Sequence, residues 1–143
     1  MTATLQELSD RREISDNLIA YAYAVDFHHW DELDAIFTPD ATLDFTASGG
    51  EKGSLTQIKG FLERALNLFQ GHQHLMANVQ VTFDGADAAT SRTACHNPMY
   101  LAGEDGKQRV VFVGIWYLDT WRRTTQGWRI CSRVQQLGYM HGL

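Results

Sequence analysis

Residues 73–83 read QHLMANVQVTF. In an extended chain Leu75, Ala77, Val79, Val81 and Phe83 fall on one side, and His74, Met76, Asn78, Gln80 and Thr82 on the other, because side chains alternate faces along a strand. The period of two is sustained, so the stretch predicts a long strand. It also marks where the chain changes character. Before it, apolar residues recur at helical spacing; after it, they recur at strand spacing. Helices first and strands later predict an α+β fold in place of alternating βαβ units.

Upstream, Ile14, Leu18, Ala22 and Val25 form one stripe at 100° per residue, which predicts a helix from Ser9 or Asp10 to about Phe27. Residues 30–37 predict a short second helix that stops before Pro39. Residues 41–47 (ATLDFTA) alternate as a strand, SGGEKG is a loop, and residues 55–69 predict a third helix burying Ile58, Leu62, Ala65, Leu66 and Phe69. Downstream, Asp84-Gly85 is a hairpin signal. Residues 88–102, 109–124 and 128–139 then predict three more strands joined by GEDGKQ and TTQG. Four long antiparallel strands with one shorter earlier strand predict a strongly curved half-cone sheet. Three N-terminal helices would pack on it, leaving an internal pocket of the kind that takes small molecules.

A chain of 143 residues suits a single domain over residues 1–143. Its net charge of −5 comes with scattered positive residues, so no footprint for nucleic acid is expected. No apolar run approaches ~18 residues, which argues against a membrane span. MTATLQELSDRREISD lacks the basic start and apolar core of a secretory leader, so a cytoplasmic location is expected. Cys95 and Cys131 form no CxxC pair and read as free thiols. With no glycine-rich phosphate loop after a strand and no GxSxG, neither a cofactor nor a serine nucleophile is expected.

Three residues carry potential chemistry. Asp26 lies inside the apolar arc of the first helix, where a carboxylate must be paired, protonated or set at a functional cavity. His74 sits on the more polar face of the 73–83 strand. His96 lies on the next strand, in TACHNPMY. A histidine acts as a general base near neutral pH, and a buried carboxylate beside it orients the ring and stabilises its cation. A metal reading also exists, since His72 and His74 form HxH and either His96 or Asp26 would add a third ligand, Asp26 giving a two-histidine, one-carboxylate set. Asn78 stands where a cupin-like motif carries glutamate, and no metal is expected.

The segments REISDNLIAYAYAVD, HHWDELDAIFTPDATLDF, HQHLMANV and GIWYLDTWRRTTQGWRICSR, in this order over nearly the whole chain, resemble the SnoaL-like branch of the nuclear transport factor 2-like superfamily. Within it the likeness is to the scytalone dehydratase and bile acid 7α-dehydratase types, and to hexachlorocyclohexane dehydrochlorinase. The resemblance implies an Asp–His dyad at Asp26 and His74, with His96 matching a second histidine and Tyr21 a proton donor or hydroxyl ligand. Val25 and Phe45 stand where scytalone dehydratase has tyrosines. The implied activity is a cofactor-independent lyase (dehydratase-like elimination) or isomerase on a hydrophobic ring-bearing molecule, with Phe45, Met76, Met99 and Trp116 as apolar walls. The alternative is a non-catalytic small-molecule-binding or accessory-subunit domain. A homodimer or higher homo-oligomer is expected through one sheet face, carrying either Val110, Phe112 and Trp116 or Val111, Val113 and Ile115.

Overall fold

The computed structural model describes residues 2–142. Helix α1 spans Leu5–Asp26 and starts earlier than expected. The reason is Thr4, whose hydroxyl accepts the Glu7 backbone N–H at 3.1 Å and so caps the first turn. Ile14, Leu18, Ala22 and Val25 are buried as their spacing predicts, and Tyr21 is buried with them. The chain leaves α1 through His28, whose φ of 58° is left-handed. The second helix is a 3-10 turn over Trp30–Ala35.

Strand β1 covers Phe37–Asp44 and includes Pro39. It runs parallel to the last strand, and its register slips between Phe37 and Thr42. Pro39 lies in that gap, where the ladder needs no N–H from it. After β2 (Lys52–Ser54) comes α2, Leu55–Leu66. Its start is set by a capping box in which Ser54 and Gln57 each accept the other's backbone N–H. Its apolar face, Leu55, Ile58, Leu62 and Leu66, is buried.

The remaining strands are β3 (Gly71–His72), β4 (Leu75–Asp84), β5 (Ala88–Ala102), β6 (Gln108–Thr124) and β7 (Gly127–His141). The seven-stranded sheet has the order β2-β1-β7-β6-β5-β3, and β4 also pairs with β5. The four long strands are antiparallel neighbours, as expected. The sheet curls into a half-barrel with α1 and α2 on its concave side. Thr93, Cys95, Asn97 and Met99 of β5 and Val111, Val113, Ile115 and Tyr117 of β6 are buried there.

The alternation of residues 73–83 is broken where the sequence reads as unbroken. Asn78, with φ 40°, is an extra residue between the Ala77–Ala94 and Val79–Thr93 pairs. This bulge reverses the facing of the strand. His74 and Met76 therefore share the interior with Val81 and Phe83, and the polar side of the first half is not a solvated face. No helix among the described residues is long and apolar enough to cross a membrane.

Candidate active site

Asp26 is the last residue of α1, and His74 lies just before β4. The two are bonded twice. His74 Nδ1 is 2.7 Å from Asp26 Oδ1, and the His74 backbone N–H donates to Asp26 Oδ2 at 2.8 Å. A third bond comes from His72, whose Nδ1 is 3.1 Å from Asp26 Oδ1. The side chains of His72 and His74 are almost fully buried, and that of Asp26 is 16% exposed. Burial disfavours the Asp26 charge, but the bonds from His72, His74 and the His74 amide outweigh it and hold the carboxyl well below its usual range. Asp26 is therefore ionised and accepts only. His74 must then carry its proton on Nδ1, which leaves Nε2 unprotonated in the neutral ring.

The His74 ring forms part of the wall of a cavity of 230 Å³ between α1, α2 and the concave sheet. A void of about 150 Å³ already admits benzene, so one small ring system fits. The lining is mainly apolar and includes Phe45, Phe61, Leu62, Met99, Val113 and Met140. Tyr21 also lines it, edge-on to His74 with ring centroids 6.5 Å apart. The Tyr21 hydroxyl is enclosed and has no hydrogen-bond partner among the described residues, and the same holds for Asn97 Oδ1. Burial pushes the Tyr21 phenol up, opposed by the Arg133 guanidinium beside it, so this hydroxyl keeps its proton near neutrality and is a donor.

Arg133 lies under this floor, fully buried. It is paired to Asp119 through Nε–Oδ1 at 2.7 Å and Nη2–Oδ2 at 2.8 Å. Its guanidinium sits 3.9 Å from the Tyr117 ring centre and 4.3 Å from that of Tyr21. Cys95 is buried nearby with its thiol pushed up to about 12 by burial, which makes it a poor nucleophile.

Not all the expected residues meet. Tyr21, Phe45, His74 and Met99 line the cavity. Asp26 lies behind His74 and opens, with Met76, onto a separate groove lined by Ile19, Tyr23 and Leu75. His96 pairs with Leu75 and Gly114 and lies on the convex face, against Phe112 and Tyr139. Trp116 is 38% exposed on that same face. The physical reason is strand parity: buried Cys95, Asn97 and Met99 point in, so His96 points out. Asn97 therefore takes the interior place assigned to His96. Asn97, Gln135 and Ser48 are lining residues the sequence did not single out. The one signal among them is that Asn97 stands two residues before Met99, an even spacing that puts both on one face of a strand. Ser48 bonds to Gln135 across the cavity rim, joining the 3-10 turn Thr46–Ser48 to β7.

Donor atoms of Asp26, His72 and His74 lie within 4.8 Å of one another, the only such group among the described residues. Both histidines direct Nδ1 at one carboxylate oxygen. That is the arrangement of N–H donors on a shared acceptor. His96 takes no part in the cluster.

Similarity to known proteins agrees with this architecture. An uncharacterized protein of Mycobacterium tuberculosis H37Rv is 44% identical over 132 residues, covering 92% of this chain and 88% of that protein. A Novosphingobium aromaticivorans protein provisionally designated a scytalone dehydratase superposes with a TM-score of 0.83 at 20% identity, covering 96% of this chain and 90% of its own. The hexachlorocyclohexane dehydrochlorinase LinA-type3 of Novosphingobium barchaimii gives 0.83 at 17% identity, with 99% and 94% covered. At these identities the two structures speak for the fold. The family model described as the SnoaL-like domain matches residues 6–134, and the chain belongs to that family.

Proposed function

We propose that the protein is a cofactor-independent acid–base enzyme acting on a hydrophobic, ring-bearing small molecule. His74 Nε2 takes a proton from a carbon made acidic by a neighbouring carbonyl or aromatic system. Asp26 holds the ring through Nδ1 and balances the imidazolium that forms. The enclosed Tyr21 hydroxyl gives a proton to a departing hydroxyl, which completes an elimination. A proton returned to a different carbon would make the same set an isomerase. The observation that carries this reading is the doubly bonded Asp26–His74 pair at the wall of an apolar cavity. The named activities of the fold neighbours, a dehydrochlorinase and a designated dehydratase, are of the same eliminating kind. We also infer a homo-oligomer that covers the convex sheet face.

The base is testable without the natural substrate. Ring opening of a nitrobenzisoxazole needs only a base in an apolar site and releases a coloured phenolate. The wild-type protein is expected to accelerate it, and His74→Ala to lose the acceleration by about a hundredfold or more. Full turnover in His74→Ala would sink the mechanism. Tight binding of ring compounds with no elimination in the wild type would favour a carrier instead.

A further inference from the structure

His74 is not alone on Asp26. His72 Nδ1 reaches the same Oδ1 at 3.1 Å that His74 Nδ1 reaches at 2.7 Å. Beyond it, His28 Nε2 is 3.0 Å from His72 Nε2. The His28 and His72 rings are close to coplanar, with centroids 5.2 Å apart and planes 9° apart, so that their Nε2 atoms point at each other, and His28 stacks on Trp30 at 5.2 Å. The left-handed backbone at His28 is uncommon outside glycine. Here it turns the chain so that the imidazole comes back beside His72.

Proton positions follow from the acceptors. An ionised carboxylate only accepts, so both His72 and His74 carry a proton on Nδ1. A neutral imidazole has one such proton, so both Nε2 atoms are bare. The bare Nε2 of His72 must accept, and His28 must donate to it. The bare Nε2 of His74 is left for the cavity. This assignment satisfies every contact without adding a charge.

We propose that His28 and His72 are positioning residues for His74, sharing Asp26 with it, fixing its Nδ1–H tautomer and limiting how strongly the carboxylate draws a proton onto its Nε2. The proposal rests on the reading of His74 as the base. A lone imidazole on a buried carboxylate is stabilised as a cation, and a cation has no lone pair with which to abstract a proton. A second N–H on Oδ1 uses part of the carboxylate charge. His28 strengthens that second bond, because an imidazole that accepts at one nitrogen donates better from the other. The other titratable or charged groups near the cluster are Tyr21 and Tyr23 on α1, Cys95 on β5, Tyr117 on β6 and Arg133 on β7. His29, Asp31 and Glu32 lie beside His28. None of these bonds to Asp26.

The test is nitrogen-15 imidazole NMR on the full chain at a fixed pH near neutrality, comparing wild type with His72→Phe, His28→Phe and His28→Gln. The wild type is expected to show protonated Nδ1 and bare Nε2 for both His72 and His74. In both phenylalanine variants the ratio of protonated to neutral His74 should rise by about three- to tenfold. His28→Gln, which keeps a donor, should restore the wild-type ratio. An unchanged ratio in both phenylalanine variants, or a wild-type His72 protonated on Nε2 alone, overturns the proposal. If His72→Phe fails to fold, the half-exposed His28 pair of variants decides. No substrate enters this readout. Expected spectra without any elimination activity would overturn the base and leave the positioning intact; intact elimination with an unmoved ratio would do the reverse.

Discussion

Asp26 is ionised in a place that opposes its charge. It ends α1, where the helix dipole disfavours an anion, and it is largely removed from water. Bonds from His72, from the His74 ring and from the His74 amide overcome both effects. The consequence for stability has a definite sign. In the unfolded chain the carboxyl titrates near its ordinary value of about 4, and in the folded chain it titrates lower. Its contribution is therefore present above about pH 4 and is lost as pH falls through the folded value. Asp26→Asn should remove that part of the acid slope in a series of denaturant midpoints measured from neutral pH downward. It should also cut elimination by about a hundred- to ten-thousand-fold, because an amide NH₂ cannot accept from the donors that fix His74. An unaltered acid slope would mean that the carboxylate is not held by these bonds.

At the scale of elements, the parity of β5 and a single bulge in β4 decide which histidines can act together. A strand of period two cannot present His96 and Met99 to one pocket, since they differ by an odd number; Met99 faces the cavity and His96 does not. That conflict was legible in the sequence. The Asn78 bulge was not, because asparagine is only a weak mark of a left-handed backbone and here it stands inside an otherwise regular alternation. The helix–strand order, the apolar stripe of α1 and the Asp26–His74 separation were legible because each follows from local periodicity or from the family resemblance. The cap at Thr4 is local, three residues from Glu7, and was open to a sequence reading; the parallel β1–β7 pairing depends on contacts made far along the chain. The bulge itself is testable, since the Asn78 side chain is exposed and its backbone is the relevant feature. Asn78→Gly should be near neutral or slightly stabilising. Asn78→Val places a branched Cβ at φ 40° and should cost about 1–2 kcal/mol in chemical denaturation, with β4 loosened beside His74. Equal stability of the two variants would show that the strained backbone is not retained in solution.

Over the whole molecule the sheet has two unlike faces. The concave face holds the cavity and, below it, the buried Asp119–Arg133 pair, which are also cross-strand partners in the β6–β7 register. The buried guanidinium is held there by two hydrogen bonds through Nε and Nη2 and by two tyrosine rings, while its Nη1 has no hydrogen-bond partner among the described residues. The convex face is different. Val110, Trp116, Val134 and Tyr139 are each at least 38% exposed on or beside it, and His96 lies among them against Phe112 and Tyr139. Of the two faces expected to join copies, Val111, Val113 and Ile115 are consumed by the interior, which leaves the set containing Val110 and Trp116. A monomer seldom leaves such a contiguous apolar surface open to water. Light scattering should therefore give a mass that is a multiple of 16.2 kDa. Trp116→Glu, which places a charge on this face at a residue that does not itself line the cavity, should reduce the mass to one chain and leave the Asp26–His74 bonds in place. A wild-type protein that stays monomeric at high concentration would mean that this face is simply a tolerated apolar surface.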